Sequence, residues 1–383
     1  MEQIMTPDND NLNPGNLGKR GFVSRLFFML AAVCILSATS AHAEKRLITL
    51  TVTDGEIDFS GKKYMIYKYN DSFPGPEIKV TEGDLVRVRL VNNSSGNHGM
   101  FFHGVGVTPQ VSMEEQEIVV KPGFEFTYSE FEAKPAGTHL YHCSFSMGAH
   151  LHRGMYGAFI VEEKPNKSKS KIKARYKFDK EFAYIFSDWN PSADTMHETH
   201  GVGHPSALLD NEASTINDRV IDGSNPVQIE AKQGDRIRLR LGNLGMLPHK
   251  VRFSDGFLVT HDDGYRISDP QEQTFIILYA GKSSDVIVKA IKPGKLTIYH
   301  SINLPEATIA SLTGRKPAWR LEMEKGEHDD HADNGAHDAD HADHADQSAH
   351  SHSDASQKPI EEKLLHLQRE FPAIVIDVSG KSK

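Results

Sequence analysis

Glu77-Ile78-Lys79-Val80-Thr81-Glu82-Gly83-Asp84-Leu85-Val86-Arg87-Val88-Arg89-Leu90-Val91 decides the fold. A short β-branched run, a Gly-Asp turn and a strand alternating at period two read as half-buried β-structure. The plan returns at Pro226-Val227-Gln228-Ile229-Glu230, Gln233-Gly234-Asp235 and Arg236-Ile237-Arg238-Leu239-Arg240-Leu241, with an Asn close behind in both copies. Lys121-Pro122-Gly123 and Lys292-Pro293-Gly294 are weaker echoes. A repeat of about 150 residues means two copies of one all-β fold rather than a solenoid.

Outward from these stretches, Leu47–Val52, Phe124–Phe131 and Gly157–Val161 read as further strands, and Ser72-Phe73-Pro74-Gly75-Pro76 as a turn. The first domain is expected over 44–165 and the second over 174–325, joined by the Lys/Ser-rich stretch 164–173.

Residues 326–357 carry nine acidic residues, seven histidines and no Lys or Arg. The whole chain has 43 Lys plus Arg against 52 Asp plus Glu, a net charge of −9. That one segment therefore holds all of the excess charge, and the folded part is close to neutral. A neutral-to-acidic surface excludes a nucleic-acid binder, which needs a basic face. Too few apolar side chains lie in 326–357 to offset the entropy of ordering, so a disordered tail is expected. His328, His331, His337, His341, His344, His350 and His352 make it a weak, multi-site metal binder or a solvated acidic tail. In the closing segment 358–383, Glu361–Glu370 reads as a helix and Ala373–Val378 as a strand.

Lys19, Arg20 and Arg25 precede the apolar run Leu26–Leu36, and Ala41-His42-Ala43 follows. This is the order of a secretory signal peptide over 1–43, cleaved after Ala43, and it implies a periplasmic location. The chain has two cysteines, and Cys34 lies inside that leader. Cys143 then has no disulfide partner, which leaves a buried bystander, a reactive thiol or a metal ligand.

The chemistry-bearing stretches are His98-Gly99-Met100-Phe101-Phe102-His103 and Tyr141-His142-Cys143-Ser144-Phe145-Ser146-Met147-Gly148-Ala149-His150, running on to Gly154-Met155. Two imidazoles, one thiolate and a weak axial thioether make a blue-copper electron-transfer site. Soft sulfur suits Cu(I) and imidazole accommodates Cu(II). His98, Cys143, His150 and Met155 fit, with His152 competing for the place of His150.

The mature chain resembles the two-domain cupredoxins, the copper nitrite reductases and two-domain multicopper oxidases, over about residues 46–323. The resemblance rests on "SFPGPEIKVTEGD", "HGMFFHG", "KPAGTHLYHCSFS", "QGDRIRLRLGN", "MLPHKV" and "GKLTIYHSINLPEA". It implies two tandem Greek-key β-sandwich domains, with a type 1 copper on the four residues above. It further implies a type 2 copper on His103, His142 and His300, the last supplied by a neighbouring subunit of a homotrimer. His249 matches a second-domain histidine lining the same pocket and is a candidate catalytic group.

A trinuclear oxidase cluster needs four His-x-His pairs, and here each pair lacks one member. That count favours the nitrite reductase arrangement, with an open coordination position. One residue departs from it. Phe101 stands where nitrite reductases carry a proton-donating Asp, which implies slow or altered nitrite turnover unless His249, Glu114 or Glu115 serves. The expected function is copper-dependent electron transfer from a small donor protein to a small inorganic substrate. An O2-consuming oxidase with a metal-ion or phenolic donor, or a non-enzymatic copper-handling protein, are the alternatives. His197, His200 and His204 are expected as solvated loop residues, His139 as structural, and His261 as a loop residue.

Overall fold

The computed structural model describes residues 43–59, 61–104, 112–164, 175–189, 211–313 and 354–380. The leader, the stretch 165–174, the loop carrying His197, His200 and His204, and all seven histidines of the acidic segment lie outside the described residues.

The first domain is two facing sheets. One runs β2 (Lys62–Tyr69), β1 (Lys45–Phe59), β4 (Leu85–Asn92), β6 (Glu125–Thr127), with β7 (Phe131–Glu132) also on β4. The other runs β3 (Ile78–Thr81), β9 (Tyr156–Glu162), β8 (Gly137–His142), β5 (Phe101–His103). The expected strand 124–131 is broken in two. Between its halves, the Tyr128 N–H still reaches the Val88 carbonyl, while Ser129 turns away to Glu115. Period two holds where it was read: Val86, Val88 and Leu90 of β4 are fully buried and pack with Leu50, Val52, Phe159 and Tyr141. Burying each such side chain stabilises the sandwich by about 1.5–3 kcal/mol.

The second domain repeats the plan in one continuous sheet. Its order is β12 (Arg219–Val220), β11 (Ala213–Ile216), β10 (Lys180–Trp189), β14 (Arg236–Asn243), β18 (Ser283–Lys289), β15 (His249–Asp262), β19 (Gly294–Ile302), β20 (Phe371–Ser379), β13 (Val227–Lys232). β16 (Tyr265–Arg266) and β17 (Glu272–Leu278) pair with β15. β15 bridges both halves because register shifts between Arg252 and Phe257 bend it.

The duplication extends to turn chemistry. Gly83 and Gly234 both take positive φ, 88° and 102°. The following carboxylates, Asp84 and Asp235, each accept a backbone N–H three residues back, at 3.0 and 2.9 Å. The Gly N–H groups each reach an alanine carbonyl, of Ala133 and Ala290, at 2.8 Å.

Two findings revise the expected ending. β20 sits between β19 and β13, so the closing segment completes the second domain's sheet. The helix before it spans Asp354–Gln368 and begins four residues inside the segment read as low-complexity tail. Its Leu364 and Leu367 pack with Leu247, Ile302 and Leu304, which supply the apolar surface that the acidic run lacks. The described elements on either side of the His/Asp-rich segment, Glu306–Thr313 and Asp354–Gln368, share one apolar cluster.

The domains meet along β8. Leu140 packs against Ile185 and Leu244. Arg240, buried in β14, donates to Thr138 Oγ1 at 2.8 Å and to Asp285 Oδ2 at 2.9 Å. Gly242 lies against Leu140 with no room for a Cβ. Alternate residues of a strand share a face, so His142 joins Thr138 and Leu140 on the side facing the second domain. Tyr141 and Cys143 face the first domain's core.

Candidate metal centre

Cys143 follows the last residue of β8, and Met155 precedes the first of β9. The two strands pair antiparallel, and the Cys143 N–H donates to the Met155 carbonyl at 3.0 Å, closing the connection into a loop. One helical turn, Met147–Leu151, fits inside it and carries His150 inward. His150 Nδ1 lies 3.2 Å from Cys143 Sγ. His98 arrives from the other side of the sandwich, held by a bridge to Val120, with Nδ1 3.8 Å from the same sulfur. The three ligand atoms lie within 4.8 Å of one another and all three residues are buried. Met155 is fully buried beside them, and its N–H donates to the His150 carbonyl. His152 points elsewhere, donating from Nδ1 to the Asp188 carbonyl at 2.7 Å.

Residues not singled out in the sequence orient His98. Asn92 spends its amide on the Gly96 and Val120 carbonyls, both at 2.7 Å, and its Oδ1 accepts the Ser94 hydroxyl. Ser94 Oγ can then only accept from His98 Nε2, at 2.7 Å. His98 is thereby fixed with Nδ1 bare and aimed at the sulfur.

Burial, and then His150, lower the His98 pKa to about 3. Burial raises the Cys143 thiol to about 12, against the pull of the Gly99 and Phe145 backbone contacts. The neutral His98 imidazole, the buried His150 ring beside it and a thiol that resists ionisation in a dry pocket are a donor set that a cation completes. The cation supplies the charge that stabilises the thiolate.

The second expected ligand set is not gathered in one chain. His103 and His142 lie together on neighbouring strands, ring centroids 4.9 Å apart. His142 Nδ1 donates to the Cys143 carbonyl at 2.8 Å, and its Nε2 is buried with no hydrogen-bond partner. Burial, then His103, lower its pKa to about 4, so Nε2 is a bare lone pair at neutral pH. Gly281 of the second domain comes so close to His103 that a Cβ there would stand 2.9 Å from the ring. Phe101 stacks on His142 at 5.3 Å and meets His103 edge-on at 4.8 Å. No proton donor occupies its place. Glu115 is committed to Ser129.

His249 and His300 form a separate buried pair on β15 and β19, with His249 Nδ1 2.6 Å from His300 Nε2. Among the described residues, His98, Cys143 and His150 make the one cluster of three metal-binding groups, so His300 does not join His103 and His142 within a chain. His139 Nε2 bonds the Pro135 carbonyl at 2.8 Å. His261 departs from the loop expectation. It is a buried residue of β15, 3.4 Å from Asp285, because the register of β15 carries it under the domain contact.

Asp188 was missed. It is fully buried at the end of β10, and its Oδ1 accepts the Leu247 N–H at 2.9 Å and His249 Nε2 at 3.3 Å. Burial pushes its pKa up; the hydrogen bond from His249, the nearby His152 and the Leu247 N–H together outweigh that and lower it. The signal available in the sequence was a carboxylate inside the apolar run Phe182-Ala183-Tyr184-Ile185-Phe186-Ser187-Asp188-Trp189.

Comparison with known proteins follows the same lines. Two family profiles, both described as multicopper oxidase, match residues 51–166 and 180–315. The multicopper oxidase MmcO of Mycobacterium tuberculosis is 26% identical over 297 residues, covering 68% of this chain and 55% of that protein. A copper-containing nitrite reductase of Neisseria meningitidis serogroup A is 30% identical over 254 residues, covering 63% and 61%. The chain thus spans somewhat more than half the length of these curated relatives. Among solved structures, the blue copper oxidase from Nitrosomonas europaea superposes with a TM-score of 0.56 at 30% identity, covering 67% of this chain and 79% of that one.

Proposed function

Because the chain belongs to the multicopper oxidase family, we propose that it is an exported, periplasmic copper oxidoreductase with two centres per chain, nitrite reductase-like in plan. The observation that carries this reading is the buried His98–Cys143–His150 cluster, one peptide linkage away from the bare Nε2 of His142. His98, Cys143, His150 and Met155 would hold a copper that supplies reversible one-electron chemistry, and His103, His142 and a partner's His300 would hold a second copper that binds and reduces the substrate.

The protein's part is arrangement. Ser94 and Asn92 hold His98 in one tautomer, which limits rearrangement between oxidation states. The His142 imidazole is tied by Nδ1 to the Cys143 carbonyl, so the shortest covalent route between the two ligand sets is short and rigid. Phe101 covers the His103–His142 pair and withholds a proton at the position where an acid would assist bound nitrite. Separation of His103 and His142 from His249 and His300 supports a homotrimer in which neighbouring subunits complete each second site. A small electron-donor protein and a small inorganic substrate are the partners.

The absence of an acid at Phe101 favours a second reading, with O2 as acceptor and a metal ion or a phenolic compound as donor. One experiment separates them. With both coppers confirmed bound, the protein is supplied with excess reduced donor and assayed anaerobically for nitric oxide from nitrite, and aerobically for oxygen uptake. Nitric oxide turnover supports the first reading. Oxygen uptake without it supports the second, and neither activity would reject both.

A further inference from the structure

Superposing the two domains by their hydrogen bonds, rather than by their motifs, shows a substitution at the second site. Asn92, Ser94, Gly96 and His98 have the spacing of Asn243, Gly245, Leu247 and His249. Asn243 repeats the clamp of Asn92, donating to the Leu247 and Leu278 carbonyls at 2.8 Å and accepting the Gly245 N–H. His98 pairs with Val120 as His249 pairs with Leu278.

In the first domain Ser94 Oγ accepts from His98 Nε2 and from the Gly96 N–H at 3.3 Å. In the second domain the matching residue is Gly245, which has no side chain. Its two jobs pass to Asp188, whose Oδ1 accepts from His249 Nε2 and from the Leu247 N–H. A Cβ at Gly245 would stand 2.0 Å from that oxygen, so the glycine makes the room the carboxylate fills.

We infer that Asp188 is the positioning residue of the second-domain histidine pair, taking the place Ser94 holds in the first domain and fixing His249 with Nε2 protonated and Nδ1 bare toward His300. His249 therefore stands as a hydrogen-bond acceptor facing His300, not as the proton donor that could replace an acid at Phe101. Through His249 the carboxylate also orients His300, a ligand in the two-centre reading, and loss of such outer contacts typically costs about 10–100-fold in metal affinity. Only this last point rests on the two-centre reading above; the tautomer does not.

The test uses the full chain and copper ions alone, with chelator competition to measure the second copper and the visible absorption of the first as control for folding. Asp188→Ala should weaken the second copper by about 10–100-fold and leave the first unchanged. Asp188→Asn, which keeps the oxygen and removes the charge, should fall between and covers a failure of Asp188→Ala to fold. A change within threefold in both variants overturns the inference.

In metal-free protein labelled with nitrogen-15 histidine, wild-type His249 should carry its proton on Nε2, and Asp188→Ala should lose that preference. A bare Nε2 in the wild type overturns the inference. If wild type takes up a single copper yet shows the stated tautomer and its loss in Asp188→Ala, the two-centre reading fails and the positioning role stands.

Discussion

The two domains share turns, strand order and Asn clamps, yet among the described residues only the first gathers a cluster of three metal-binding groups. In the first, the loop from Cys143 to Met155 delivers a thiol, an imidazole and a thioether to one point under His98. In the second, Tyr299-His300-Ser301 stands where Tyr141-His142-Cys143 stands, so a hydroxyl replaces the thiol. What remains is the His249–His300 pair, backed by Asp188. The same scaffold thus holds a closed, dry centre in one copy and an incomplete one in the other.

The largest effect expected from breaking this asymmetry is at the thiol. Cys143→Ser should abolish the intense visible absorption of the first centre and reduce turnover to background, while copper at the second centre stays measurable by metal analysis. Next comes the aromatic cover on His142. Phe101→Asp restores an acid, a device worth about 10²–10⁴-fold where it operates, so nitrite turnover measured as nitric oxide should rise steeply. No gain would place the reaction elsewhere. Ser94→Ala removes the contact fixing His98 and should weaken copper at the first centre by about tenfold, read by chelator competition, with the second centre unaffected.

Asn92→Ala and Asn243→Ala should each destabilise the protein by about 1–3 kcal/mol per orphaned carbonyl, measured by denaturant midpoint. Only the first should disturb the visible absorption. The smallest effect is on pH dependence. His98, at about 3, and His142, at about 4, have folded pKa values below that of a free imidazole. Burial also holds His103 and His300 low, so the unfolded chain binds more protons in this range. Metal-free protein should therefore keep its full stability above about pH 6.5 and lose it as the pH falls towards 4. A flat denaturant midpoint across that range would contradict the neutral, buried imidazoles.

Much of this was legible in the sequence because period-two burial and Gly-Asp turns are local signals. Val86, Val88 and Leu90, like Ile237, Leu239 and Leu241, are buried as their alternation requires. The clustering of His98, Cys143 and His150 was readable because soft and imidazole donors at that spacing have few other uses. The choice between His150 and His152 was open in the sequence; in the structure His150 lies inside the helical turn facing Cys143, while His152 caps the turn and reaches Asp188. What stayed hidden depends on contacts distant in sequence. Asp188 meets His249 across 61 positions, and no local pattern marks it. The place of β20 beside β19 and β13 is equally non-local, which is why the closing segment read as an appendage.

The most direct test of the two-domain account is a copper count with electron paramagnetic resonance on the purified, oxidised full-length protein. Two coppers per chain are expected. One should have the narrow hyperfine splitting and intense colour of a thiolate-bound ion, absent in Cys143→Ser; the other should have an ordinary splitting and survive that substitution. A single copper per chain, or two whose signals both vanish with Cys143, would contradict it.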